Sequence, residues 1–211
     1  MNLALFILRL AVGGFFVGHG AQKLFGSFGG HGLDGTGQFF ESLGMRPGRQ
    51  HARVAGIAEF GGGLLLVFGL LTPFAAAAIT AVMIVAILTV HAKNGPWSTD
   101  GGFEYNVVLM AAVFALAGVG PGAWSLDNAF GLDLAGTGWA IAELALGTLG
   151  AIGAVLAGRR ETARATTAPA ATPRPAPTER FARTDEPVAP GTPHTAEAPL
   201  EREPVDRLPR P

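Results

Sequence analysis

The chain has 211 residues, 49% of them hydrophobic, with 31 Gly, no Cys and a formal net charge of −1. The near-zero charge gives no electrostatic footprint for nucleic acid, and the absence of Cys excludes disulfides, thiol exchange, iron–sulfur ligation and cysteine-type zinc sites within the chain. The averages conceal two unlike parts: up to Gly158 there are six Lys/Arg and eight Asp/Glu, whereas from Arg159 onward there are nine Arg, eight acids and eleven Pro.

Five stretches match a bilayer crossing, which takes ~20 residues, range ~17–25. The first, residues 2–20, encloses Arg9 and ends near His19. No basic segment precedes its apolar run, so it reads as a retained membrane helix rather than a cleaved signal peptide. Residues 24–50 are too polar to span and too rich in Phe for a plain loop. Asp34 or Thr36 is expected to cap a short helix there, which buries Phe39, Phe40 and Leu43 and stops at Gly44. That makes an amphipathic segment lying at the interface. The second span, 52–71, encloses Glu59. The third, 73–91, opens on Pro73, suited to a first helical turn, and closes on His91. The fourth, 104–120, starts at Glu104, and the fifth, 136–158, encloses Glu143. Residues 159–211 are rich in Pro, Ala and Arg, cannot bury a core and read as a disordered tail. The fold class expected is therefore all-α: a polytopic transmembrane bundle with a disordered tail.

Charge placement orients the bundle. With five crossings, Lys23, Arg46, Arg49, Arg53, Lys93, Arg159 and Arg160 fall on one side, and the other side holds no Lys or Arg. Four crossings would put the arginine-bearing tail with the uncharged connections. The excess of positive charge on cytoplasmic segments then places the N-terminus outside and the tail in the cytoplasm. Trp124 and Trp139 would mark the outer interface and Trp97 the inner one. Small residues four apart, Gly14 with Gly18, Ala58 with Gly62 and Ala154 with Gly158, suit close helix packing.

The candidate site comes from charge at membrane depth, which costs ~2.5–3.5 kcal/mol for Arg or Asp. Arg9, His19, Glu59, His91 and Glu104 are expected to converge in the cytoplasmic half of the bundle. Arg9 and Glu59 would sit at similar depth and pair. Two readings stay open for that pair: an ion pair fixing helix register, or a buried polar site for an anion, a quinone headgroup or a proton. His19 and His91 are either interfacial hydrogen-bonding groups or redox-linked proton carriers. Two His on separate helices also suit axial haem ligation, but no other feature calls for haem. Glu104 is equally well explained as a helix N-terminal acid. Glu143 is expected to pair inside the bundle or to lie near the outer surface. His31, His51 and Asp34 read as ordinary interfacial residues. No metal site is expected, and the motifs GxxxxGK[ST], HExxH and GxSxG are absent.

The strings LRLAVGGFFVGHGAQKLFGSFGGHGLDGTGQFFESLG, AEFGGGLLLVFGLLTP, VAILTVHAKNGPW and GGFEYNVVLMAAVFALAGVGPGAWSLD occur in this order. Together they resemble the DoxX family of small bacterial membrane proteins over about residues 3–127. The resemblance implies a four-helix membrane core over residues 1–127, in a bacterial inner membrane, to which the span 136–158 and the tail are additions. It implies kinship with a subunit of thiosulfate:quinone oxidoreductases, or a role as membrane partner of redox-defence enzymes. Carried onto this chain, the family's polar positions are Arg9, His19, Gln22, Lys23, Glu59, His91, Gly102, Glu104 and the stretch from Ser125 to Asp127.

The function expected first is a quinone-linked oxidoreductase component. His19 or His91 would bond a quinone carbonyl, Arg9 would stabilise developing negative charge, Glu59 or Glu104 would relay protons, and Gln22 and Lys23 would help hold the cofactor. With no Cys and no dinucleotide motif, electrons would come from a redox partner protein or a bound cofactor. The alternatives are a non-catalytic scaffold acting through the tail and a small-solute or lipid transporter. Membrane lipid is an expected partner, nucleic acid is not, and homo-oligomerisation stays open.

Overall fold

A computed structural model describes the backbone of residues 1–167 and side chains as far as Ala163. Helix α1, Asn2–Phe25, runs beyond the expected end at Gly20 and stops only where Gly26 adopts a left-handed φ of 72°. Gln22 and Lys23 thus stand on a membrane helix, not in a connection. Helix α2, Gly32–Ser42, starts before the expected caps, and neither Asp34 nor Thr36 caps it. Asp34 instead pairs with Arg49, Oδ1 to Nε 3.1 Å. Phe40 is buried as expected, but Phe39 is 50% exposed. Helix α3, Gly48–Phe68, begins one turn ahead of Ala52 because Pro47 provides an extended residue from which the helix springs.

Helix α4, Thr72–Ala86, has Pro73 in its first turn. It continues as a π-helical turn, Ile87–His91, and a short 3₁₀ turn, Ala92–Asn94. Helix α5, Glu104–Val119, is followed by the four-residue α6, Leu126–Ala129. Helix α7, Thr137–Thr167, passes straight through the point where the tail was expected to begin. Two bonds anchor the passage: Arg46 N donates to Gly158 O at 3.3 Å, and Thr162 Oγ1 donates to Gly44 O at 2.8 Å. The remainder of the expected tail, 168–211, lies outside the described residues.

Among the described residues four helical stretches are long and apolar enough to cross a membrane: Asn2–Phe25, Gly48–Phe68, Thr72–Asn94 and Thr137–Ala163. Helix α5 is equally apolar but has 16 residues, or ~24 Å at the rise of an α-helix, less than the ~30 Å hydrocarbon layer. Leu3, Phe15, Ile57, Val108 and Leu149 are exposed on the outside of the helices, as apolar solvent requires of a membrane bundle. The molecule is an all-α polytopic membrane protein.

Helix α4 lies in the middle, against α3, α5 and α7, while α1 packs along α3. Val12, Phe16, Leu66, Ile79, Met83, Val113 and Leu116 interlock there. The α1–α3 contact is close because both helices present glycine. A Cβ on Gly13 would lie 2.7 Å from Gly63 O, and one on Gly63 would lie 2.7 Å from Gly13 O. The expected pair Gly14 and Gly18 instead faces open space, whereas Gly62 and Gly158 do meet neighbours. One residue turns a helix by about 100°, so Gly13 faces α3 and Gly14 does not. Alternating helix direction leaves Lys23, Arg46, Arg49, Arg53, Lys93, Arg159 and Arg160 at one end. This is called the basic end below. Met1, the α3–α4 turn and α6 lie at the other.

Candidate functional site

At the basic end a cavity of about 650 Å³ lies between the helices. Phe16 and His19 of α1, Met83 of α4 and Asn106 and Leu109 of α5 supply opposite walls. Helices α1 and α5 are not among the closely packed helix pairs, and the space between them is what the cavity fills. Phe15, Val54 and Tyr105 both line the cavity and stay largely exposed, so it opens on the lipid-facing surface. Phe39 and Phe40 of α2, with Leu43 just after it, cover it at the interface.

The walls are mostly hydrocarbon, and a few polar groups gather within them. Lys23 Nζ sits 2.6 Å from Glu59 Oε2, joining α1 to α3. Glu59 is 3% exposed, and its carboxylate also feels the His19 ring. His19 Nδ1 lies 3.2 Å from Gln22 Oε1, and Gln22 Nε2 donates to Phe28 O at 3.3 Å. An amide oxygen only accepts, so His19 donates from Nδ1. His91 likewise donates from Nδ1 to Gly101 O, 2.8 Å away. In the neutral ring each Nε2 is then a lone pair, and among the described residues neither has a hydrogen-bond partner. Thr89, Val90 and His91 line the wall from the π-helical turn, as Ala81, Val82 and Met83 do from the regular part of α4.

Sequence reasoning brought five residues to one place, and the structure brings three. His19, Glu59 and His91 line the cavity, together with Lys23; Arg9 and Glu104 do not. Gln22 holds His19 from behind without lining the cavity. The expected Arg9–Glu59 salt bridge is not made. Arg9 lies more than a turn farther from the basic end than Glu59 does. On antiparallel helices, each Cα–Cβ bond tilts toward its own N-terminus, so the two long side chains diverge. Fully buried, Arg9 donates from Nη1 to Val67 O at 3.1 Å and from Nη2 to Trp124 O. Asp127 lies near enough to act on it electrostatically. The Asp127 carboxylate in turn accepts from Leu71 N at 2.7 Å, Thr72 N at 3.0 Å and Thr72 Oγ1 at 2.7 Å, capping α4. Glu104 is exposed and accepts from Ser98 N at 2.9 Å, closing the turn before α5. Glu143 pairs inside the bundle, accepting from the Thr80 hydroxyl.

Asn106 and His51 also line the cavity and were not singled out as site residues. Asn106 had a signal in the sequence, being an amide early in an apolar run; Nδ2 contacts Met83 Sδ at 3.3 Å. His51 had none, since its position depends on the fold of α2 over α3.

The fold and site define an integral membrane protein of helical-bundle type whose one end holds an apolar cavity with a histidine–lysine–glutamate set. The DoxX family profile matches residues 4–92. A Bacillus subtilis (strain 168) protein named "Putative oxidoreductase CatD" is 35% identical over 112 residues, 53% of this chain and 77% of its own length. The Escherichia coli (strain K12) "Inner membrane protein YqjF" is 32% identical over 97 residues, 46% of this chain and 73% of its own length. The chain belongs to the DoxX family. No solved structure matches it.

Proposed function

We propose that the protein is the membrane component of a quinone-linked oxidoreductase, with the quinone ring held beside His19, Lys23, Glu59 and His91. The observation that carries this reading is the union of an apolar volume open to lipid with two histidines that each keep a free Nε2. The name of the B. subtilis relative supports an oxidoreductase. A bound quinone would supply two-electron, two-proton chemistry. The chain's residues fit such a ring: Phe16, Met83 and Leu109 exclude water, Lys23 offers N–H donors to a ring oxygen, and an Nε2 lone pair accepts the proton of a ring hydroxyl. Gln22 and Gly101 fix the two imidazoles in that tautomer. Glu59, beside Lys23 and His19, passes protons toward the basic end. Lysine and arginine at that end support its placement in the cytoplasm, with the N-terminus outside. With no Cys in the chain, electrons are exchanged through a redox partner protein or a second bound group.

The test titrates a short-chain ubiquinone or menaquinone analogue against the purified full chain. Saturable binding that weakens in His19→Ala and His91→Ala, and persists in Arg9→Met, is expected. Equal, non-saturating uptake by the unmodified chain and all three variants would end the proposal and favour a scaffold.

A further inference from the structure

A second hollow, of about 590 Å³, lies at the basic end where α3 starts and α7 leaves the apolar zone. Its walls come from one face of each helix. Gln50, His51 and Val54 recur at helical spacing on α3, just after Pro47 at its N-cap, and Ala157, Arg160 and Glu161 do so on α7. Arg46 completes it, ahead of α3. The hollow is graded in polarity. Val54 and Ala157 form an apolar side, with the exposed Leu156 next to Ala157 in the chain, while Arg46 and Arg160 stand exposed on the polar side, which Glu161 shares. Among the described residues neither arginine has an ion pair, although Arg49 close by is paired with Asp34.

We propose that this hollow binds the phosphodiester headgroup of an anionic phospholipid, with Arg46 and Arg160 on the phosphate and the acyl chains along Val54 and Leu156. Three features favour a lipid. The two guanidiniums stand where the apolar stretches of two membrane helices end, the depth of a bilayer phosphate layer. Guanidinium matches phosphate oxygens with paired N–H donors. A basic pocket between membrane helices suits an anionic headgroup, with about 1 kcal/mol of attraction per Lys or Arg at the membrane surface. The backbone of the same region is tied across the two helices by the Arg46 N to Gly158 O bond, so an occupant here braces α7 against the α2–α3 turn. The hollow shares His51 and Val54 with the wall of the larger cavity, but Arg46 and Arg160 line it alone, and the proposal does not depend on the quinone reading.

The experiment is native mass spectrometry of the detergent-purified full chain, titrated with phosphatidylglycerol or phosphatidylcholine. Retention of phosphatidylglycerol over phosphatidylcholine is expected, falling roughly fivefold for Arg46→Ala and again for Arg160→Ala. Lys93→Ala, on another connection, should leave it unchanged, and Arg46→Lys with Arg160→Lys should keep most of it. Circular dichroism of each variant confirms that the helices persist. Equal retention of the two lipids, or of phosphatidylglycerol by wild type and the double alanine variant, would overturn the proposal. So would displacement by millimolar inorganic phosphate alone, which would mark a site for a soluble anion.

Discussion

Lys23 and Glu59 meet across the α1–α3 contact with Nζ and Oε2 2.6 Å apart, the lysine partly exposed to the cavity and the glutamate 3% exposed. Breaking such a pair strands a buried charge. Lys23→Met should lower stability toward the lower end of about 3–5 kcal/mol, since the lysine retains some exposure. Lys23→Met combined with Glu59→Gln should cost less than Lys23→Met alone. Unfolding followed by circular dichroism in detergent measures both. A double variant that is the less stable of the two would show that the ion pair is not what holds the carboxylate there.

Arg9 belongs to the opposite end, where it ties α1 to the carbonyls of Val67 and Trp124. Arg9→Met should cost roughly 1.5–3 kcal/mol for each hydrogen bond to the charged group. It should leave ligand binding in the cavity unchanged. Thermal unfolding and a binding titration on one preparation separate the two effects.

Asp127 fixes the α3–α4 turn through Leu71 and Thr72, and Leu71 adopts a left-handed φ of 48° there. Asp127→Ala should destabilise by about 0.5–2 kcal/mol, as loss of a helix cap does. Leu71→Ile should be worse than Leu71→Asn, because a β-branched side chain resists that backbone and Asn tolerates it. Paired melting curves of the two Leu71 variants give the order directly.

Glycine substitution reads out the helix contact. Gly13→Ala would put a methyl against Gly63 O and Val67, costing about 1–3 kcal/mol as overpacking does. Gly14→Ala meets nothing within 4 Å and should stabilise the helix by about 0.5–1 kcal/mol. Opposite signs at adjacent residues are the expected result in chemical denaturation; equal signs would place the α1–α3 contact elsewhere.

Hydropathy carried the architecture, because a bilayer makes length and apolarity nearly sufficient to find a helix. It carried the ends less well. Gln22 and Lys23 look like a connection, yet α1 continues until Gly26 can turn left-handed. Helices α1 and α3 both extend toward the basic end by about one turn, so the offset between Arg9 and Glu59 hardly changes; it is the direction of the two side chains that separates the expected pair. Single-sequence spacing places a residue along a helix, but Cβ direction decides which neighbour a long side chain reaches. His19 and His91 were legible as candidates because they close apolar runs. That Gln22 and Gly101 hold their Nδ1 atoms was not: the first contact needs α1 to run on past Gly20, and the second depends on the turn ahead of α5.

The opening between α1 and α5 faces the acyl chains. A molecule entering there is delivered by two-dimensional diffusion, and its supply follows from how strongly it dissolves in the membrane. Among analogues sharing one ring, apparent potency should therefore track oil–water distribution. It should also weaken as lipid is added at constant total ligand, because the added membrane dilutes it.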